Sequence, residues 1–337
     1  MLVTTLEAHV RMQDEVAEIV GGIVAECAGG VRDVAWVAAG GSMGGFWPGH
    51  WFLEHEAHGI RTHLCTSNEF VMATPLFVGP GTVVVVCSMR GTPETCEAAR
   101  VAKGRGAVTV GLYVQESALT TICDHLIAYE SIALDESRTE RVNSTIALCL
   151  AIELLQQTEG YPHHGEAMKA FDKVDSIYHQ ALIDVGPRAR EWAERNRDAG
   201  CIYVMASGPA LGSAYIFSIC NLEEMLQVAS PTIDSCEFFH GPFEVLDQAT
   251  SLFMLVSVGH TRAADERALR FLRRYGGKGV HVLDGRELGV SDLPDSVSEY
   301  FNHVLFSPVL NNVYLRALSE VRHKEYHTRR YMWKVEY

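Results

Sequence analysis

The sequence predicts an α/β protein built from two tandem domains, each a parallel β-sheet flanked by helices. Three observations carry that reading. Residues 33–39 (DVAWVAA) and 82–87 (TVVVVC) are unbroken apolar runs of strand length, as expected of strands buried on both faces. A glycine- or hydroxyl-rich turn and then a helical stretch follow each run, which is the unit from which parallel sheets are wound. The same order returns after residue 200, so the chain reads as two copies of one pattern.

Taken in order, residues 1–30 read as an amphipathic helix, with Ala17, Ile19, Val20, Ile23 and Val24 on its apolar side. A first domain spans 31–160. Its opening strand, 33–39, runs into Gly40-Gly41-Ser42 and a helix over 43–59 with Phe52, Leu53 and Ala57 facing inward. Such a turn suits an anion and equally suits a plain tight connection. The strand 82–87 leads into Ser88-Met89-Arg90-Gly91-Thr92-Pro93-Glu94-Thr95 and a helix over 96–103. Hydroxyls, loop N–H groups and a helix N-terminus converge there, which favours a phosphate. Thr92 or Thr95 also suits capping of that helix, and the two roles are compatible. Strands follow at 107–112 and 123–128, then a long helix over 139–157.

A helical connector over 161–198 separates this domain from a second one, 199–337. There, strand 201–206, turn 207–213 and helix 214–228 repeat the first unit. Strand 251–257 matches 82–87, but its loop, Val258-Gly259-His260-Thr261-Arg262, has lost most of the hydroxyls. A helix over 263–275, a strand over 279–283 and a helical region over 297–323 complete the domain. The last ten residues carry two tyrosines and a tryptophan, so they are expected to dock rather than dangle. Only the first copy keeps a convincing phosphate loop, which implies one composite site rather than two.

Composition bounds the function. The 337 residues carry a net charge of −14, which argues against nucleic-acid or membrane-surface partners. Nine cysteines without a C-x-x-C pair fit a reduced, cytoplasmic protein. No apolar run approaches membrane-spanning length, and the N-terminus lacks the apolar core of a signal peptide. The fifteen histidines form no H-E-x-x-H motif, and Gly40–Gly45 is not a dinucleotide fingerprint, so neither metal nor cofactor is expected.

Residues 221–244 (NLEEMLQVASPTIDSCEFFHGPFE) hold the rest of the chemistry. Ile219, Leu222, Met225 and Leu226 form the apolar face of a helix, on which Glu224 is a half-buried carboxylate and hence a better base than one in water. His240 sits sixteen residues further on, in a Gly-Pro turn. A lone Glu or His in such places is more often structural. Together with the ending Thr328-Arg-Arg-Tyr-Met-Trp-Lys-Val-Glu-Tyr337, however, E-F-F-H-G-P-F-E resembles the sugar isomerase (SIS) domain family. Within that family it is most similar to the double-SIS deglycases of 6-phosphorylated fructosyl- or glucosyl-amino acids.

The resemblance implies flavodoxin-like three-layer αβα domains and a homodimer whose active site is shared between subunits. Gly41, Ser42, Ser88, Arg90, Thr92 and Thr95 would hold the 6-phosphate of a phosphorylated sugar-amino acid. Glu224 would move a proton between C1 and C2, and His240, from the neighbouring subunit, would open the ring. Lys334 would take the place of the tail lysine that lines the site in the related isomerase domain of glucosamine-6-phosphate synthase. The phosphate loop departs from the family form S-x-S-G-x-T-x-E-T, with Arg90 before its glycine and one residue fewer after it. An aldose–ketose or amino-sugar phosphate isomerase would use the same residues, and a non-catalytic sugar-phosphate sensor would share the phosphate loop.

Overall fold

A computed structural model describes residues 11–132 and 138–336. The first sheet has five parallel strands, β1 (Asp33–Ala38), β2 (Arg61–Thr66), β3 (Thr82–Cys87), β4 (Val108–Tyr113) and β5 (His125–Ala128), in the order β2-β1-β3-β4-β5. The second has four, β6 (Tyr203–Ala206), β7 (Thr232–Asp234), β8 (Leu252–Val256) and β9 (Val280–Asp284), ordered β7-β6-β8-β9. Both start at an inner strand, step outward to one edge, then cross back, so the internal repeat is one of topology as well as pattern. Every residue of β1, β3 and β8 is buried, as their continuous apolar runs require.

The edge strands β2 and β7 were not visible in the sequence. β2 (RTHLCT) is half-exposed and mixed in polarity, and β7 is three residues long. The N-terminal helix is observed as Met12–Glu26, and the first ten residues of that expectation lie outside the described part. The helix Asn143–Thr158 is buried all round over residues 144–155, and the charged member of that stretch, Glu153, is paired with His164 at 2.6 Å. It packs on the helices Met12–Glu26 and Trp47–Glu56, and one continuous apolar core joins these elements to those under the second sheet.

Two expectations about the turns are corrected. Gly40-Gly41-Ser42 is not a free loop but the first turn of a short helix, Gly40–Gly45. Its counterpart after β6 is a single 3-10 turn, Gly208–Ala210, that continues into the helix Leu211–Ile216. The backbone repeats closely at this point. Ala39 and Ser207 have φ/ψ of −135/153° and −139/164°, and Gly40 and Gly208 follow at φ +56° and +53°, a region that favours glycine. The helix read over 214–228 is α-helical only to Ile216, and Phe217–Met225 is a π-helix. The wider winding explains why Leu222 and Leu226 are buried while Ile219 and Met225 turn to the cleft described below.

Glycines let the two repeats approach each other. A Cβ on Gly212 would lie 2.7 Å from Trp47 Cγ and 2.9 Å from the Gly44 carbonyl, and one on Gly44 would lie 2.9 Å from Ile216 Cδ1. Replacing a helical glycine by alanine normally stabilises by about 0.5–1 kcal/mol. Here the sign reverses: Gly212→Ala is expected to lower stability by about 1–3 kcal/mol, read from urea denaturation midpoints.

Candidate active site

The C-terminal ends of β1 and β3 and the π-helix Phe217–Met225 enclose a cleft of about 1270 Å³. Ligands of open parallel sheets bind at this end of the strands. The first repeat contributes Gly41, Ser42, Arg90 and Thr92, and the second contributes Cys220, Glu223 and Glu224. Residues 326–333 of the tail close one side.

The hydroxyls predicted to bind phosphate divide into two groups. Ser88 is buried and its Oγ accepts the Thr92 N–H at 2.9 Å, so it shapes the loop from inside. Thr95 is also buried, with its hydroxyl between Ser67 at 2.9 Å and Thr92 at 3.0 Å. Neither lines the cleft, whereas Ser42, Arg90 and Thr92 do. Gly91, at φ +69°, makes the sharp turn that exposes Arg90 and Thr92, and Thr92 leads directly into the helix Pro93–Gly104. Behind Ser42, the buried Cys87 thiol is pushed up to about 11 by desolvation, against opposing hydrogen bonds from Ser42, Tyr129 and Asn143. It stays a neutral thiol at physiological pH.

Glu223 and Glu224 point apart, as adjacent helical residues must. Glu223 accepts the Ser230 N–H at 3.0 Å and secures the turn into β7. Glu224 instead accepts a 2.6 Å hydrogen bond from Nε of Arg329, a tail residue that sequence reasoning missed. The two are 105 residues apart, and no local pattern links them. Cys220, one π-turn before Glu224, has its thiol pushed up to about 12, first by burial and then by the Glu224 charge. It sits against Gly41, whose N–H points at its sulfur, and this contact seams the two repeats together.

The tail is fastened at several points. Lys324 Nζ donates to Gln227 Oε1 at 2.8 Å, and Arg329 Nη1 donates to the Tyr326 carbonyl at 2.7 Å. Trp333 lies 5.7 Å from the Arg90 guanidinium and 5.8 Å from that of Arg329. Gln227 and Trp333 both take positive φ, +58° and +61°, so strained backbone gathers at this cleft. Lys334 is exposed outside the cleft, its N–H bonded to the Tyr331 carbonyl, and Arg329 is the tail cation that reaches Glu224.

His240 is exposed and does not line the cleft of its own chain. Its turn is fixed from below by Phe238, Phe239, Phe243 and Phe271, with Arg267 stacked 4.2 Å over Phe239. The floor of the cleft carries polar groups within an apolar bundle. Asn221 Nδ2 donates to Asn311 Oδ1 at 2.9 Å, joining the π-helices Phe217–Met225 and Leu310–Leu315. His303 lies beside them, its imidazole pushed down to about 3 by burial against a smaller opposing influence of the Pro209 carbonyl, and therefore neutral. Among the described residues no cluster of three His, Cys, Asp or Glu side chains is placed to hold a metal ion. No helix among them is long and apolar enough to cross a membrane.

The corresponding loop of the second repeat is already filled. Glu299, buried, accepts the His260 N–H at 2.8 Å, and its carboxylate occupies the space beside Gly259. Asp265, fully buried, accepts the Ser257 N–H at 2.8 Å, and Asn302 Oδ1 accepts the Val258 N–H at 2.9 Å. The N–H groups that would receive an outside anion are held by the chain's own acceptors.

No protein-family model matches the chain. It is 34% identical over 309 residues to the fructosamine deglycase of Bacillus subtilis, covering 91% of this chain and 93% of that one. It is 26% identical over 224 residues to the fructoselysine 6-phosphate deglycase of Escherichia coli O157:H7, covering 64% of this chain and 62% of the relative. The crystal structure of a Salmonella typhimurium chain assigned to the phosphosugar isomerases superposes with a TM-score of 0.94 at 40% identity, covering 97% of both chains. The chain belongs to the double-SIS-domain sugar isomerase family.

The Arg329–Glu224 pair is the tail's one charged attachment to the π-helix among the described residues, and it is largely shielded from water. Arg329→Gln is expected to release the strap. Trypsin should then cut after Lys324 or Arg330 several times faster than in the parent, with the rest of the digestion pattern unchanged apart from the lost cut after residue 329; equal rates would show that packing alone holds the tail.

Proposed function

We propose that this member of the family is a deglycase that hydrolyses a 6-phosphorylated fructosyl- or glucosyl-amino acid to a hexose 6-phosphate and a free amino acid. The observation that supports it most is that one cleft brings Ser42, and the exposed Arg90 and Thr92 of the loop after β3, together with Glu224. The first group would bind the 6-phosphate through hydroxyls, a guanidinium and the start of the helix Pro93–Gly104. That leaves the other end of the open-chain sugar near Glu224.

For a fructosyl substrate, Glu224 takes a proton from C1 to give an enaminol and returns it to C2, leaving a C1=N Schiff base. Water adds to C1, the C–N bond breaks, and the amine leaves with the proton it needs. Cys220 and His303, both neutral, take no proton in this scheme. His240 would assist ring opening from the neighbouring subunit, because its aromatic platform presents it outward, away from its own cleft. The protein would therefore work as a homodimer with a shared site.

The direct test incubates the purified protein with 6-phosphorylated fructosyl-lysine, fructosyl-aspartate and glucosyl-lysine and measures amine and hexose phosphate release. Release from at least one is expected, falling roughly a hundred- to ten-thousandfold in Glu224→Gln. Interconversion of hexose or hexosamine phosphates without amine release would make it an isomerase, and binding without turnover a sensor. A second test concerns the shared site. Mixing inactive Glu224→Gln and His240→Ala proteins under subunit exchange should restore about a quarter of the parent activity, because each mixed dimer holds one intact site. No recovery would place both residues in the site of a single chain.

A further inference from the structure

Arg329 has more bonding capacity than its contacts use. Its Nε is committed to Glu224 at 2.6 Å and its Nη1 to the carbonyls of Tyr326 at 2.7 Å and Thr328 at 3.4 Å. Nη2 has no partner among the described residues, yet it is not sealed off, and Arg329 lines the cleft. Only about 10% of the side chain is exposed. A guanidinium held on two edges and desolvated on most of its surface is rigid, and its remaining N–H groups favour an anionic acceptor with in-plane oxygens.

The occupant follows from position. The 6-phosphate is assigned to Ser42, Arg90 and Thr92 in the proposed function, on which this inference rests. A carboxylate bonded to Nη2 would stand within about 5 Å of the Glu224 carboxylate, given one hydrogen bond on each side of the guanidinium. In an amino acid joined to the sugar through its α-nitrogen, only N and Cα separate C1 from the carboxylate carbon, a span of roughly 4 Å. In lysine joined through its side-chain nitrogen, the same span is roughly 9 Å. The first brings its carboxylate to Nη2 at its natural length while C1 is beside Glu224, whereas the second must coil its flexible side chain to do so, at a cost in conformational entropy.

We infer that Arg329 is the specificity residue for the leaving group: it binds the α-carboxylate and selects amino acids attached through the α-nitrogen over simple amines and over lysine attached through its side chain. The arrangement uses one cation twice, to hold Glu224 in place and to read the group that departs. It also gives the strap a reason to reach into the cleft at Arg329.

The test pairs a substrate change with a mutation. Steady-state kcat/KM is measured for 6-phosphorylated fructosyl-alanine, its matched fructosyl-ethylamine lacking the carboxylate, and lysine linked through either nitrogen. The parent protein should favour the α-linked carboxylate substrates by about ten- to a hundredfold. In Arg329→Gln the alanine-to-ethylamine preference should shrink to within about twofold, and Arg329→Lys should retain part of it. If Arg329 served only to position Glu224, both substrates would lose rate equally and the preference would survive, which overturns the inference. Absence of any preference in the parent overturns it too, without recourse to a variant. If the parent releases no amine from any of the four, the proposed function itself fails and this inference with it.

Discussion

Where the helix Gly40–Gly45 crosses the helix Leu211–Ile216, Gly44 and Gly212 leave no room for a side chain. That crossing sets the distance between the strand ends of one repeat and the π-helix of the other. The cleft is the space that remains. With a larger residue at the crossing, Gly41 would lose its contact with Cys220, and Glu224 would stand further from Ser42 and Arg90. Gly44 and Gly212 are therefore needed for helix packing and Gly40 and Gly208 for their positive φ, roles that local sequence cannot separate from anion binding.

The two repeats share a backbone but not a chemistry, and the difference lies in a few side chains. In the first, the loop after β3 turns its threonine and arginine toward open space. In the second, Glu299, Asp265 and Asn302 occupy the equivalent donors. A buried carboxylate with two or three N–H partners satisfies such a loop as well as a ligand would, and does so without dissociating. The fold thus satisfies one helix start from within and leaves the other open to solvent.

Much of this was legible in the sequence because it depends on local pattern. TVVVVC has one reading as a buried strand, and the paired strand–turn–helix order reveals the repeat. The aromatic tail was expected to dock, and its residues do line the cleft. Other features depend on partners far along the chain. The π-helix arises from a shift in hydrogen bonding that residue identities scarcely mark. Arg329 meets Glu224 across 105 residues and Glu299 meets His260 across 39. His303, Ser307 and Asn311, polar residues spaced by four within an apolar helix, were a readable signal that the apolar face obscured. Ser88 and Thr95 show the reverse limit, since a motif gives residue types without the direction in which hydroxyls point.

The proposed deglycase chemistry needs a single composite site, with phosphate on the first repeat and the reacting carbons on the second. A crystal structure with a hexose 6-phosphate bound tests this most directly. It should show one sugar per chain, its phosphate against Ser42, Arg90 and Thr92 and its C1–C2 bond within hydrogen-bonding range of the Glu224 carboxylate. A phosphate seated on the loop after β8 in place of Glu299, or a sugar turned with C1 away from Glu224, would contradict it.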